Sequence, residues 1–91
     1  MTETISRHDI LRLLEQQSYR CALSGRGLLP STTALDHTMP MSRGGRHVVG
    51  NAQALQKEVN RAKGTLTNEE FIQICREVVA WADSKEKETG R

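Results

Sequence analysis

The chain has 91 residues, a formal charge of +2, and 36% hydrophobic but only 3% aromatic residues. A chain this short makes one domain, 1–91, with a small core that buries roughly 60–70% of its unfolded surface, so a metal or a partner bears on its stability. With Tyr19, Phe71 and Trp81 as its only aromatics, it has no stacking platform for unpaired bases, which points away from single strands and toward a duplex.

The charge is unevenly spread. Residues 1–66 hold nine Lys/Arg against five Asp/Glu, a balance of +4, and residues 67–91 hold four against six, a balance of −2. A phosphate-facing surface therefore belongs to the first two thirds of the chain. No apolar run approaches the roughly 18 residues of a membrane span, and no charged N-terminal region precedes an apolar one. These features set the expectation of a soluble, cytoplasmic protein in which Cys21 and Cys75 are reduced thiols.

In chain order, Ile5, Ile10, Leu11, Leu13 and Leu14 mark one helical face, and Ser6 with Asp9 three residues on supplies a cap, predicting a helix over about 6–17. Tyr19-Arg20-Cys21-Ala22-Leu23 reads as a short strand turned back by Ser24-Gly25-Arg26-Gly27 into a hairpin or knuckle. Leu28 to Thr33 is a loop, since Pro30 lacks an amide donor and holds Leu29 extended. Ala34-Leu35-Asp36-His37 reads as a strand, Ser42-Arg43-Gly44-Gly45 as a bend, and His47-Val48-Val49 as the returning strand. Neighbouring side chains on a strand point to opposite faces, so Asp36 and His37 can address one site only if the strand ends or bulges there, as Pro40 close behind permits. Asn51 then stands as N-cap of a helix predicted over 52–63, with Ala52, Leu55, Val59 and Ala62 inward and Gly64 as its stop. Thr67-Asn68-Glu69-Glu70 forms a capping box for a last helix over about 68–84, whose stripe of Phe71, Ile74, Cys75, Val78 and Ala82 faces the core.

The stretch from Ala34 to Asn51, continued by Asn60 and Lys63, resembles the HNH endonucleases. The residues that carry the resemblance are the adjacent Asp36-His37, Pro40, the Ser42-Arg43-Gly44-Gly45 turn, Asn51, and Asn60 three residues before Lys63. It covers roughly Tyr19 to Phe71 and implies an α+β fold: a small ββα-metal core, hairpin plus helix, over about 19–66, flanked by N- and C-terminal helices. It further implies that His37 is the general base, that Asp36 and Asn60 ligate one divalent cation, and that Asn51 ties down the hairpin loop that carries His37. Many relatives hold a structural zinc with two Cys-x-x-Cys pairs. Here those places read Cys21-Ala22-Leu23-Ser24 and Gln56-Lys57-Glu58-Val59, so three of the four ligands are missing and no structural zinc is expected.

Hydrolysing a phosphodiester requires a nucleophilic water, charge relief at phosphorus and stabilisation of the departing 3′ oxygen, which a histidine and one oxygen-ligated cation can supply. An imidazole titrates near neutral pH. Two oxygen ligands leave room for waters and phosphate, as Mg2+ or Mn2+ prefers, and Asn60 in place of the histidine found in many relatives favours such hard cations. The 14 residues from His37 to Asn51, and nine more to Asn60, fit one hairpin leading into one helix. Arg43, Arg46, Arg61 and Lys63 are the expected phosphate contacts, the alternative for each being a solvated charged face. His47 stays open between a DNA contact, a residue assisting the site and a half-exposed strand histidine. The expectation is a divalent-metal-dependent DNA endonuclease or nickase, bacterial or phage-encoded, acting on double-stranded DNA, with a partner protein as one source of specificity. The alternative is a catalytically silent module of the same fold that binds DNA or protein.

Overall fold

A computed structural model describes residues 4–88. Its elements run α1 (Arg7–Gln16), β1 (Thr33–His37), β2 (Ala52–Gln56), α2 (Lys57–Lys63) and α3 (Asn68–Glu88), with single 3-10 turns at Pro30–Thr32, Met41–Arg43 and Val49–Asn51. The fold is α+β, with three helices and one two-stranded antiparallel sheet among the described residues. Among the described residues no helix is long and apolar enough to cross a membrane.

Helix α1 starts where its cap residues place it. The Ser6 hydroxyl accepts from the Asp9 amide and the Asp9 carboxylate accepts from the Ser6 amide, each at 3.0 Å, which satisfies two otherwise orphaned donors. After α1 the backbone turns through left-handed Ser18 and Tyr19, and the Tyr19 amide returns to the Leu14 carbonyl. Tyr19–Leu23 is not a strand. It is a tight knuckle, in which Arg20 bridges Gly27, Cys21 donates to the Arg26 carbonyl at 2.7 Å, and Ala22 donates to the Ala54 carbonyl at 3.1 Å. Cys21 and Leu28 from this segment meet Ala54 and Leu55 in the core, with Leu14, Leu23 and Val59 packed around them.

The hairpin differs from the expected one. Its returning strand is Ala52–Gln56 rather than His47–Val49, paired in the register Thr33↔Gln56, Leu35↔Ala54, Asp36↔Gln53 and His37↔Ala52. The helix expected over 52–63 therefore shrinks to the seven residues of α2, capped by the Gln56 side chain, and ends at Gly64. Alanine, glutamine and leucine are good helix formers, but all five residues of β2 are buried, and a short buried run is settled by packing rather than propensity. Gln17 completes the sheet. Its amide donates to the Ala54 carbonyl at 2.9 Å and accepts from the Ala54 amide at 3.0 Å, so one side chain satisfies the strand edge as a third strand would.

Helix α3 opens on the capping box Thr67/Glu70, with the Glu70 amide donating to the Thr67 hydroxyl at 3.2 Å and the Thr67 amide to the Glu70 carboxylate at 2.9 Å. Its apolar stripe does not face the core as the sequence pattern predicts. None of its 21 residues is buried, and Cys75 is exposed while Cys21 is buried. The radius of gyration, 15.9 Å, exceeds the about 12 Å of a compact chain this long, and the longest dimension is 58 Å. A 21-residue helix accounts for about 31 Å of that length.

Candidate functional site

The loop between the strands is built around two glycines and one asparagine. Gly44 has φ +94°, a conformation side chains resist, and a Cβ on Gly45 would meet the Met39 carbonyl oxygen at 1.8 Å, so neither tolerates another residue without backbone movement. The amides of Arg43 and Gly45 both donate to the Pro40 carbonyl at 2.9 Å. Asn51 is not a helix cap but the clasp of this loop. Its Oδ1 accepts from the Thr38 hydroxyl at 2.7 Å and the Met39 amide at 2.9 Å, and its Nδ2 donates to the carbonyls of Met39 and Arg46 at 3.0 and 2.9 Å. The loop leaves β1 and returns to β2 through one side chain, which fixes the orientation of the strand end.

Asp36 and His37 are the last two residues of β1, with no bulge between them. Alternation sends their side chains to different neighbours. His37 meets His47, the Nε2 of one 2.9 Å from the Nδ1 of the other, with the ring centroids 5.1 Å apart. One of these two nitrogens donates and the other accepts, so the tautomer of each imidazole is tied to that of the other.

Asp36 is buried and faces α2. Its Oδ2 accepts from Lys63 Nζ at 2.8 Å and from Gln53 Nε2 at 2.9 Å, and Lys63 also donates to the His37 carbonyl at 3.2 Å. Gln53 and Asn68 exchange a reciprocal pair of bonds at 2.8 and 3.1 Å, which ties the start of α3 to this carboxylate. Lys63, expected at the phosphate surface, is 1% exposed and is the counter-ion of Asp36. Lys63, three residues after Asn60, lies on the face of α2 that packs on the hairpin, which turns its ammonium inward. An ammonium so deeply buried requires the carboxylate beside it.

Asp36 and Asn60 are oxygen donors of the type that a hard cation takes. The hydrogen bonds from Lys63 and Gln53 both fall on Asp36 Oδ2, and the half-buried Asn60 lies one turn before Lys63 on α2. Lys63 already balances the Asp36 charge, so any such cation would be held by neutral donors and half of one carboxylate. Among the described residues no three of His, Cys, Asp and Glu come together to hold a metal.

The knuckle does not fit a zinc. Burial pushes the Cys21 thiol up, but hydrogen bonds from the Ser24 hydroxyl and from the amides of Gln56, Ser24 and Leu23 outweigh it and hold the thiol below its ordinary value. At the opposite place Gln56 Oε1 accepts from the amides of Glu58 and Val59 at 3.0 and 3.3 Å and from Arg26 Nη1 at 3.2 Å. Hydrogen bonds join the two halves that thiolates would otherwise join through a metal.

Of the expected phosphate contacts, Arg61 and Arg46 are exposed. Arg43 bonds to the Thr65 carbonyl at 3.3 Å and to both carboxylate oxygens of Glu70, which links the glycine loop to α3. That pairing raises the Arg43 guanidinium and, with the Thr67 amide, holds Glu70 down at about 2. Sequence reasoning missed Gln53, Gln17 and Asn68. Their signal was weak, three amides with no charge and no motif position. Compared with known proteins, the chain matches no family model, and no curated protein matches it.

Proposed function

We propose that this protein is a divalent-metal-dependent endonuclease of the HNH type that hydrolyses phosphodiester bonds in duplex DNA. The observation that carries the reading is the strand end. Asp36 and His37 close β1, Asn51 clamps the loop behind them with four hydrogen bonds, and α2 brings Lys63 onto Asp36 with Asn60 one turn before it. In this reading His37 takes the proton from a water at Nδ1 while His47 holds its other nitrogen, and that water attacks phosphorus as the P–O3′ bond breaks. Asp36 and Asn60 would hold Mg2+ or Mn2+, which supplies charge relief to the phosphate and the leaving oxygen when bound. Asn51 positions His37 without reacting. Arg61, Arg46 and Arg43 flank the loop and α2 and would meet the backbone irrespective of sequence. Conversion of supercoiled plasmid to nicked circle, with Mg2+ or Mn2+ and with EDTA, tests the proposal on the wild type beside His37→Ala.

One observation favours a second reading. The Lys63 ammonium on Asp36 takes the charge that a cation needs, as in a domain that keeps the fold and binds DNA or a protein without cutting. That domain would bind duplex equally in EDTA and in Mg2+ and would leave the plasmid intact.

A further inference from the structure

Helix α3 presents an apolar face that the fold leaves uncovered among the described residues. Ile74, Val78 and Trp81 are 46%, 62% and 65% exposed, and Phe71 and Lys85 continue the row at its two ends. The positions 71, 74, 78, 81 and 85 have the three-and-four spacing of a helix seam that expects a second helix. Ile72 and Val79, also exposed, widen the face. Such a face, on the order of 500 Å2, is as large as an isolated chain ordinarily leaves open. Residues 68–88 carry six acidic against three basic side chains, a balance of −3, which disfavours a phosphate backbone or an anionic membrane as cover and admits a second copy only in a register that sets a lysine beside a glutamate.

We propose that this face pairs with the same face of a second copy of the chain, the two α3 helices running antiparallel. A two-fold axis between residues 79 and 80 sets Val78 against Trp81 of the second copy, and Trp81 against its Val78. Ile74 then lies against the aliphatic stem of Lys85 of the second copy, whose ammonium comes beside Glu77, and the contact is made twice. In the single chain Lys85 is half-exposed, its Nζ lies 4.6 Å over the Trp81 ring, and it is 3.3 Å from Glu88, so its stem already follows the row it would complete. Pairing removes on the order of 1,000 Å2 from water, about the least a specific interface needs. The association is therefore concentration-dependent.

Sedimentation velocity on the full chain, from about 1 to about 100 µM, reads the assembly, and the fluorescence of Trp81, the only tryptophan, reports the same contact. The expected result is a monomer–dimer shift with blue-shifting emission. Val78→Glu, at an exposed position that leaves the fold intact by circular dichroism, should stay monomeric throughout. Lys85→Glu should weaken the dimer roughly tenfold by facing Glu77 with a like charge, and Glu77→Lys in the same chain should restore it. A wild type that is monomeric at the highest concentration, or a dimer untouched by Val78→Glu, overturns the interface. A dimer indifferent to the Lys85 and Glu77 changes overturns the antiparallel register.

Discussion

Lys63 is where the chemistry of the hairpin is decided. Its buried ammonium holds Oδ2 of Asp36, so it is structural counter-ion and neighbour of the candidate cation position at once. Lys63→Met leaves a buried carboxylate unpaired and should cost about 3–5 kcal/mol in urea unfolding, most of it recovered when Asp36→Asn is added. A cost below about 1 kcal/mol would mean that the pair is not buried as described. The same burial separates Lys63 from the surface arginines. Arg61→Ala should lower the salt slope of DNA binding by about one unit, whereas Lys63→Met should leave the slope unchanged, as anisotropy titrations at several salt concentrations would read. The sequence places Lys63 three residues from Asn60, but whether a lysine at that spacing faces phosphate or carboxylate depends on which side of α2 lies on the sheet. That depends on where the strand before it ends. For Asn51 the same stretch was more legible: the hydrogen bonds expected to tie the loop are present, although the helix it was expected to cap begins six residues later.

At the scale of elements, both outer helices start where capping boxes were legible, because a cap is a local hydrogen-bond pattern that needs no partner element. The middle of the chain was less legible for the opposite reason. Ala52–Gln56 becomes a strand only because Leu35 and its neighbours pair with it and the Gln17 amide closes its edge, contacts 15 to 37 residues away in the chain. The stripe of α3 predicts burial by its pattern alone, and the pattern cannot say that what buries it lies outside the chain. The link between the glycine loop and α3 is electrostatic and therefore pH-dependent. Glu70 is held at about 2 in the folded chain by Arg43 and the Thr67 amide, against an ordinary value of 4.5. A carboxylate depressed on folding contributes stability that is present above its unfolded value and is lost as pH falls toward the folded one. The melting temperatures of wild type and Glu70→Gln should therefore differ at pH 6–7 and converge between about pH 4.5 and about pH 2. A gap that persists at the acid end would assign the effect of Glu70 to packing rather than to its charge.

At the scale of the molecule, the knuckle, the hairpin and α2 form a small unit held by hydrogen bonds where thiolates could have held it through a metal. Chelation should accordingly leave the melting temperature of the purified protein unchanged, and elemental analysis should find less than stoichiometric zinc. A large loss of stability in EDTA would return Cys21 to the role of ligand. Plasmid nicking separates a nuclease from a domain that only binds. With Mg2+ or Mn2+ the wild type should convert supercoiled duplex to nicked circle, EDTA should stop it, and folded His37→Ala should be slower by a factor of about 10² or more. Wild-type protein that binds the duplex but leaves it uncut in every metal would be a silent binding domain, and His37→Ala that cuts at the wild-type rate would remove His37 from the reaction.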